Sequence, residues 1–149
     1  MEIMDTHKIE LRCYTTYMGE DGIARSIVKP NAEIELDDAI ANSKAVNSLF
    51  QGEKFPLLID SSKIKSMSKE ARKYLSVNNR STHITSFAVV VKSSLSTIIV
   101  NFFFQLQKPS VPAKLFTNEK DALSWLQKHK NNKSRNEHWH VKQRTIIQF

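Results

Sequence analysis

Two short, continuous apolar runs place the strongest constraint on the fold of this chain. They are Phe-Pro-Leu-Leu-Ile at residues 55–59 and Phe-Ala-Val-Val-Val at residues 87–91. Runs of this length predict strands buried on both faces, as in a parallel sheet. Segments with helical periodicity lie before, between and after the runs, at residues 35–50, 68–78, 95–107 and 117–129. In the first segment, six residues recur at helical spacing, as on the core-facing side of an amphipathic helix: Leu36, Ala39, Ile40, Ser43, Val46 and Phe50.

Three further strands are predicted near the two ends of this pattern. Residues 8–14 alternate between apolar and charged side chains, and residues 23–29 form a second strand that Pro30 closes. Turn-forming residues at positions 18–22 join the two into an antiparallel hairpin. A short strand follows at residues 113–116. The predicted fold is therefore α/β, in the order β-β-α-β-α-β-α-β-α, with a mostly parallel sheet that the N-terminal hairpin joins at either edge.

The basic charge of the chain is concentrated near its C-terminus. The 149 residues fit one domain, which we place at residues 1–130, followed by a basic tail at residues 131–149. From Lys128 onward there are six lysines and arginines against one acidic residue, and this segment supplies most of the net charge of +7. A basic tail of this kind is usually a solvated segment, so we expect no nucleic-acid partner.

The sequence also predicts the compartment. The longest apolar stretch, residues 95–104, is too short to span a membrane and contains polar residues. The first residues are acidic and do not resemble a signal peptide. Cys13 is the single cysteine, which allows no internal disulfide and suits a reducing environment. We therefore expect a cytoplasmic protein.

Several segments, in their order and spacing, resemble a bacterial family of small SpoIIAA-like domains, also described as STAS/Sec14-like. The likeness extends from about residue 22 to residue 128. The segments that show it are residues 57–72, Asn101-Phe102-Phe103, Lys108-Pro109, residues 112–117 and residues 122–126. The resemblance implies the same α/β fold.

The resemblance also implies a regulatory role, with one departure. STAS domains of the anti-sigma-factor-antagonist type bind a partner kinase and are switched by phosphorylation of a serine that opens a helix, usually within Asp-Ser-Ser-Gly. The matching stretch here is Met67-Ser68-Lys69-Glu70-Ala71. Ser68 stands where the aspartate would be, Lys69 replaces the serine, and no glycine follows. The phosphorylation switch of that family therefore does not carry over directly to this chain.

Ser66, Ser68 and Lys69 are still candidates for phosphorylation or for contact with a partner. A serine at a helix N-terminus lies beside unpaired backbone N–H groups and the positive end of the helix dipole, which favour a phosphate. Neighbouring lysines would add positive charge. The simpler alternative is that Ser68 only caps the helix.

The predicted helix at residues 95–107 has apolar residues on two sides. One broad face is the predicted core side, whereas Val100 and Phe104 point the opposite way. Together with Phe103 they are candidates for a dimer interface or a site for an apolar ligand, and the C-terminal tail is a third way to cover them. Lipid binding by Sec14-type relatives supports the ligand alternative by analogy only. A single exposed phenylalanine is the simplest alternative.

Neither a metal site nor a catalytic site is predicted. His138 and His140 lie near His129 in sequence, but no further ligand stands at a usual spacing. The glycines form no phosphate-binding loop, and Cys13 has no base beside it. Asp60 ends a buried strand, where α/β enzymes often place catalytic groups, but alone it is better explained as an acceptor for loop N–H groups.

The sequence therefore predicts a non-enzymatic regulatory or protein-interaction module with a role in signalling. We expect a homodimer, an unidentified protein partner, no cofactor and no metal. The first alternative is a binder of a small apolar ligand or lipid, and the second is an enzyme that uses Asp60.

Overall fold

A computed structural model of the chain describes residues 8–77, 83–92 and 111–131. The strands are β1 (Ile9–Glu10), β2 (Tyr14–Met18), β3 (Ala24–Val28), β4 (Glu33–Ile34), β5 (Phe55–Asp60), β6 (Ser66–Met67), β7 (Ile84–Val90) and β8 (Ala113–Phe116). The helices are α1 (Leu36–Asn47), α2 (Lys69–Val77) and α3 (Glu119–Asn131).

Six strands form one sheet in the order β1-β2-β3-β5-β7-β8. The pairs β1–β2 and β2–β3 are antiparallel, and the other three pairs are parallel. This arrangement confirms the predicted α/β fold with a mostly parallel sheet and an N-terminal antiparallel hairpin. The hairpin joins the sheet through β3, whose Ala24 pairs with Leu57 of β5.

The first strand of the hairpin was predicted wrongly at residues 8–14. The long strand is Tyr14–Met18, and only Ile9–Glu10 pairs ahead of it. A turn separates the two, closed by the Leu11 N–H bond to the Tyr14 carbonyl at 2.8 Å. Alternation was misleading because Thr16, although polar, is fully buried, with hydrogen-bond partners in the buried Ser26 and the half-buried Asn42.

Two strands of two residues each escaped prediction because they are shorter than any pattern of alternation. β4 and β6 pair in parallel as a separate sheet of two strands. Ser66 therefore lies on β6 and not at the start of a helix, which was its predicted place.

The helices cover both faces of the large sheet. Val46 of α1 packs with Leu57, Phe87 and Val89, and Ala71 of α2 packs in an adjoining cluster with residues of β3 and α1. Successive strand residues point to opposite faces, so α3 lies on the other face. There, Ala122 and Leu126 of α3 pack against Ile23, Leu58, Ala88 and Val90.

Three predictions concern residues outside the described part of the chain. They are the helix at residues 95–107, the candidate surface formed by Val100, Phe103 and Phe104, and nearly all of the basic tail at residues 131–149. The division at residue 130 stays a prediction as well. By contrast, β8 and α3 lie close to where the sequence placed them.

Candidate interaction surface

The starts of α1 and α2 lie side by side because two paired strands lead into them. β4 runs into α1 and β6 runs into α2, with Glu33 opposite Ser66 and Ile34 opposite Met67. The backbone N–H of Ser68 donates to the Ile34 carbonyl at 2.9 Å, which continues this pairing up to α2. The predicted site at Ser66, Ser68 and Lys69 therefore borders the start of α1.

The three predicted residues differ in their structural roles: one caps a helix and two are exposed. Ser68 caps α2, since its Oγ accepts the backbone N–H of Ala71 at 3.0 Å. Ser66 and Lys69 are both exposed. Capping, the simpler alternative for Ser68, is thus observed, while the phosphorylation and partner contact predicted for these residues stay predictions.

Exposed charges of opposite sign flank the two helix starts. Glu35 and Asp37 lie at the start of α1, whereas Lys63 and Lys69 lie beside or at the start of α2, and all four are exposed. Glu33 and Lys65 form an ion pair of 3.1 Å across the two short strands. Within the described residues, no ion pair involves Asp37 or Lys69.

Leu36, the first residue of α1, is the exception to its predicted place in the core. It is 36% exposed, which among the described residues makes it the large hydrophobic side chain most open to solvent. The predicted core side of α1 is correct for Ala39 and Val46, which are buried. Leu36 differs because it is the first residue of the helix. Sequence periodicity could not show that neighbouring elements leave the side chain at this position partly open to solvent.

An ion pair holds the start of α1 against the hairpin. The Nε of Arg12 donates to Oδ1 of Asp38 at 3.0 Å, and an Nη2 hydrogen bond reaches the Glu33 carbonyl at 3.1 Å. Asp38 is buried and also accepts the Glu35 backbone N–H at 2.8 Å. Desolvation by burial raises the pKa of Asp38, but the hydrogen bonds from Arg12 and the Glu35 backbone outweigh it. The net pKa is lowered from the ordinary value of 3.8.

An Asp38→Asn substitution should lower the free energy of unfolding at pH 7 by about 1–3 kcal/mol, because it removes charged hydrogen bonds of a buried group. Because the pKa of Asp38 is lower in the folded chain than in the unfolded chain, its contribution is complete above the ordinary pKa. It is lost as the pH falls through the folded value. Urea denaturation at pH 7 and at an acidic pH below the ordinary value of 3.8 measures the difference.

The control for this experiment is Asp37→Asn, which changes the neighbouring exposed carboxylate. The cost of Asp38→Asn should shrink at the acidic pH and should exceed the cost of the control at neutral pH. An equal cost at both pH values would contradict a stabilising role for the ionised carboxylate.

An open depression of about 440 Å³ lies beside this ion pair. Its lining residues are Arg12, Cys13, Lys29, Pro30, Asn31, Ala32, Glu33 and Glu35. The Sγ of Cys13 lies 3.6 Å from the Glu33 carbonyl and is buried. Burial is the main cause that raises the pKa of the Cys13 thiol, with the nearby Asp38 charge adding to it. A protonated, buried thiol is a poor nucleophile, so Cys13 is better explained as a residue of the hydrophobic core.

Asp60, the candidate for catalysis, is engaged in the loop that follows β5. Its Oδ1 accepts the Ser62 backbone N–H at 3.0 Å and the Ser62 hydroxyl at 2.7 Å. The adjacent Ser61 hydroxyl donates to the Val90 carbonyl at 2.9 Å. These contacts match the loop-acceptor role predicted for Asp60.

The described residues bring together no cluster of three or more His, Cys, Asp and Glu side chains that could hold a metal ion. His129 is buried in α3, where its Nδ1 lies 2.9 Å from the Trp125 carbonyl, and desolvation lowers its pKa. His138 and His140 lie outside the described residues. Among the described helices, none is both long enough and apolar enough to cross a membrane.

A family model described as a domain of unknown function, DUF7793, matches residues 17–130. The chain belongs to this family. The match includes both helix starts of the candidate surface, together with Asp38 and Asp60. No curated protein matches the sequence.

Two solved structures are similar to this chain. One is an uncharacterised protein of the DUF3478 family with a SpoIIAA-like fold from Shewanella loihica PV-4, with 19% identity and a TM-score of 0.51. That comparison covers 76% of this chain and 91% of the other. The second is a protein of unknown function from Arthrobacter sp. FB24, with 29% identity, a TM-score of 0.30, and coverage of 74% and 96%. The Shewanella structure confirms the predicted resemblance to the SpoIIAA-like fold.

Proposed function

We propose that this DUF7793 domain is a non-enzymatic regulatory module that binds another protein through the neighbouring starts of α1 and α2. The observation that supports it best is the exposure of Ser66 and Lys69 beside the exposed Leu36. Protein interfaces commonly have apolar side chains at their centre and polar groups at their rim, and Leu36 with its neighbours follows this arrangement.

The side chains with the best chemistry for catalysis also favour a non-enzymatic module, because each of them is engaged in the fold. Asp60 accepts hydrogen bonds from Ser62 in the loop after β5, and Ser61 donates one to the Val90 carbonyl at the end of β7. Cys13 is buried, and its pKa is raised. An enzyme that uses Asp60 would have to disturb its own loop, so the interaction module is the better account. The apolar-ligand alternative depends on Val100, Phe103 and Phe104, which lie outside the described residues, and it stays a prediction.

A photo-cross-linking amino acid at position 66, introduced into the full chain in cells that naturally produce it, tests the proposal. We expect a discrete covalent adduct with a protein, because the side chain at position 66 is exposed at the proposed contact surface. The same amino acid at Lys54 is the matched control, since Lys54 is exposed and precedes β5 at the opposite end of the sheet.

A second substitution makes the cross-linking result specific. Leu36→Asp should abolish the adduct at position 66, whereas Lys54→Glu should leave it unchanged. If position 66 gives no adduct, or only those seen from position 54, the proposed contact surface is wrong.

A further inference from the structure

The proposed contact surface has a charge pattern that is complementary to itself. Glu35 and Asp37 stand at the start of α1, whereas Lys63 and Lys69 stand beside and at the start of α2, where Glu70 adds one exposed acidic residue. Leu36 and Lys69 each lie two residues beyond the last β4–β6 pair, Ile34 with Met67, so they occupy corresponding positions on the two chain segments. The exposed apolar side chain is therefore close to the boundary between the two charged halves.

The outer charges of this pattern form no ion pair with described residues of the same chain. Glu33 and Lys65 pair with each other, but no described ion pair involves Asp37 or Lys69. Lys69 is also the first residue of α2, where the positive end of the helix dipole disfavours a cation. A negative charge from outside the chain would offset that cost.

We propose that this surface binds a second copy of the chain about a two-fold axis that passes close to Leu36. In a two-fold interface the same patch meets itself, so Asp37 of each protomer faces the partner's Lys69, and the two Leu36 side chains lie at the centre. This inference rests on the proposed function, because it names the partner of the same surface. The small apolar centre and the charged rim indicate a weak dimer that is sensitive to salt.

Charge reversal tests this geometry in the full chain, by sedimentation at low ionic strength. Lys69→Glu places negative charge on both halves, and Asp37→Lys places positive charge on both halves, so each variant repels its own copy. We expect each substitution to weaken self-association by about tenfold or more, since two attractive contacts become repulsive. An equimolar mixture of the two variants should associate again, because each contact then joins opposite charges. The double variant should also dimerise.

Control measurements separate loss of the dimer contact from loss of folding and from nonspecific effects of charge. Lys69→Glu places an acidic residue in the first turn of α2, which favours the helix dipole, so its melting temperature should stay equal or rise while the dimer is lost. Lys54→Glu and Glu20→Lys change exposed charges at the opposite end of the sheet and should leave the dimer intact.

The outcomes distinguish this inference from the proposed function. A wild-type chain that stays monomeric at low salt, or a dimer that both reversals leave unchanged, overturns the two-fold contact. If position 66 then still cross-links to a different protein, the interaction module stands without self-association. If neither the cross-link nor the dimer is found, both proposals fail.

Discussion

A Leu126→Ala variant is expected to unfold with about 2–5 kcal/mol less free energy than the wild-type chain. Leu126 is fully buried and, together with Ala122, packs α3 against Leu58 and Val90 of the sheet and against Ile23 just before β3. Truncation to alanine removes that apolar contact and leaves a cavity which the surrounding strands fill only in part. Urea denaturation followed by circular dichroism measures the loss.

The matched control for Leu126 is Ser124→Ala, an exposed position of the same helix. Alanine is the better helix former, so this change should cost nothing measurable. A loss below about 1 kcal/mol for Leu126→Ala, far under the range for a buried leucine, would mean that α3 does not pack on this face of the sheet as described.

An Asn42→Ala variant is expected to lose about 2–4 kcal/mol of unfolding free energy, because it leaves buried hydroxyls without their acceptor. Oδ1 of Asn42, on α1, accepts hydrogen bonds from the Thr16 and Ser26 hydroxyls of the hairpin. Both hydroxyl-bearing residues are fully buried. The two hydroxyl oxygens lie 3.2 Å apart, so once Asn42 is removed one hydroxyl can donate to the other, which limits the loss.

Removing the two hydroxyls that lost their acceptor tests whether unsatisfied hydroxyls cause the loss of stability. Adding Thr16→Val and Ser26→Ala to the Asn42→Ala variant should recover part of the lost stability, because paired deletion of polar partners costs less than single deletion. If the triple variant is less stable than Asn42→Ala by the full cost of the two added substitutions, unsatisfied hydroxyls are not the cause.

The strands and helices that could be predicted from sequence are those with a strong local pattern. The apolar runs that became β5 and β7 needed no knowledge of their neighbours, and the Ser68 cap follows from a serine placed just before a helical segment. Tyr14–Met18 was misplaced because burial of Thr16 depends on Asn42, which is distant in sequence. Local alternation carries no information about such a partner.

The candidate site shows the same limit. Serines beside a predicted helix start, with lysines around them, pointed to Ser66, Ser68 and Lys69, but the contribution of α1 to the surface depends on the pairing of β4 with β6. The Arg12–Asp38 contact, which holds the start of α1, joins residues whose proximity only the folded chain creates. Exposure of Leu36 likewise follows from where packing stops, whereas its spacing predicted burial.

The described six-stranded sheet ends in short strands at both edges. β1 has two residues and β8 has four, and each carries a charged side chain, Glu10 and Lys114. Short, charged edge strands give a foreign chain few backbone groups with which to pair, and they are a common protection against aggregation. Such a sheet is a poor template for the open-ended strand addition that produces fibrils, even when the domain is highly concentrated.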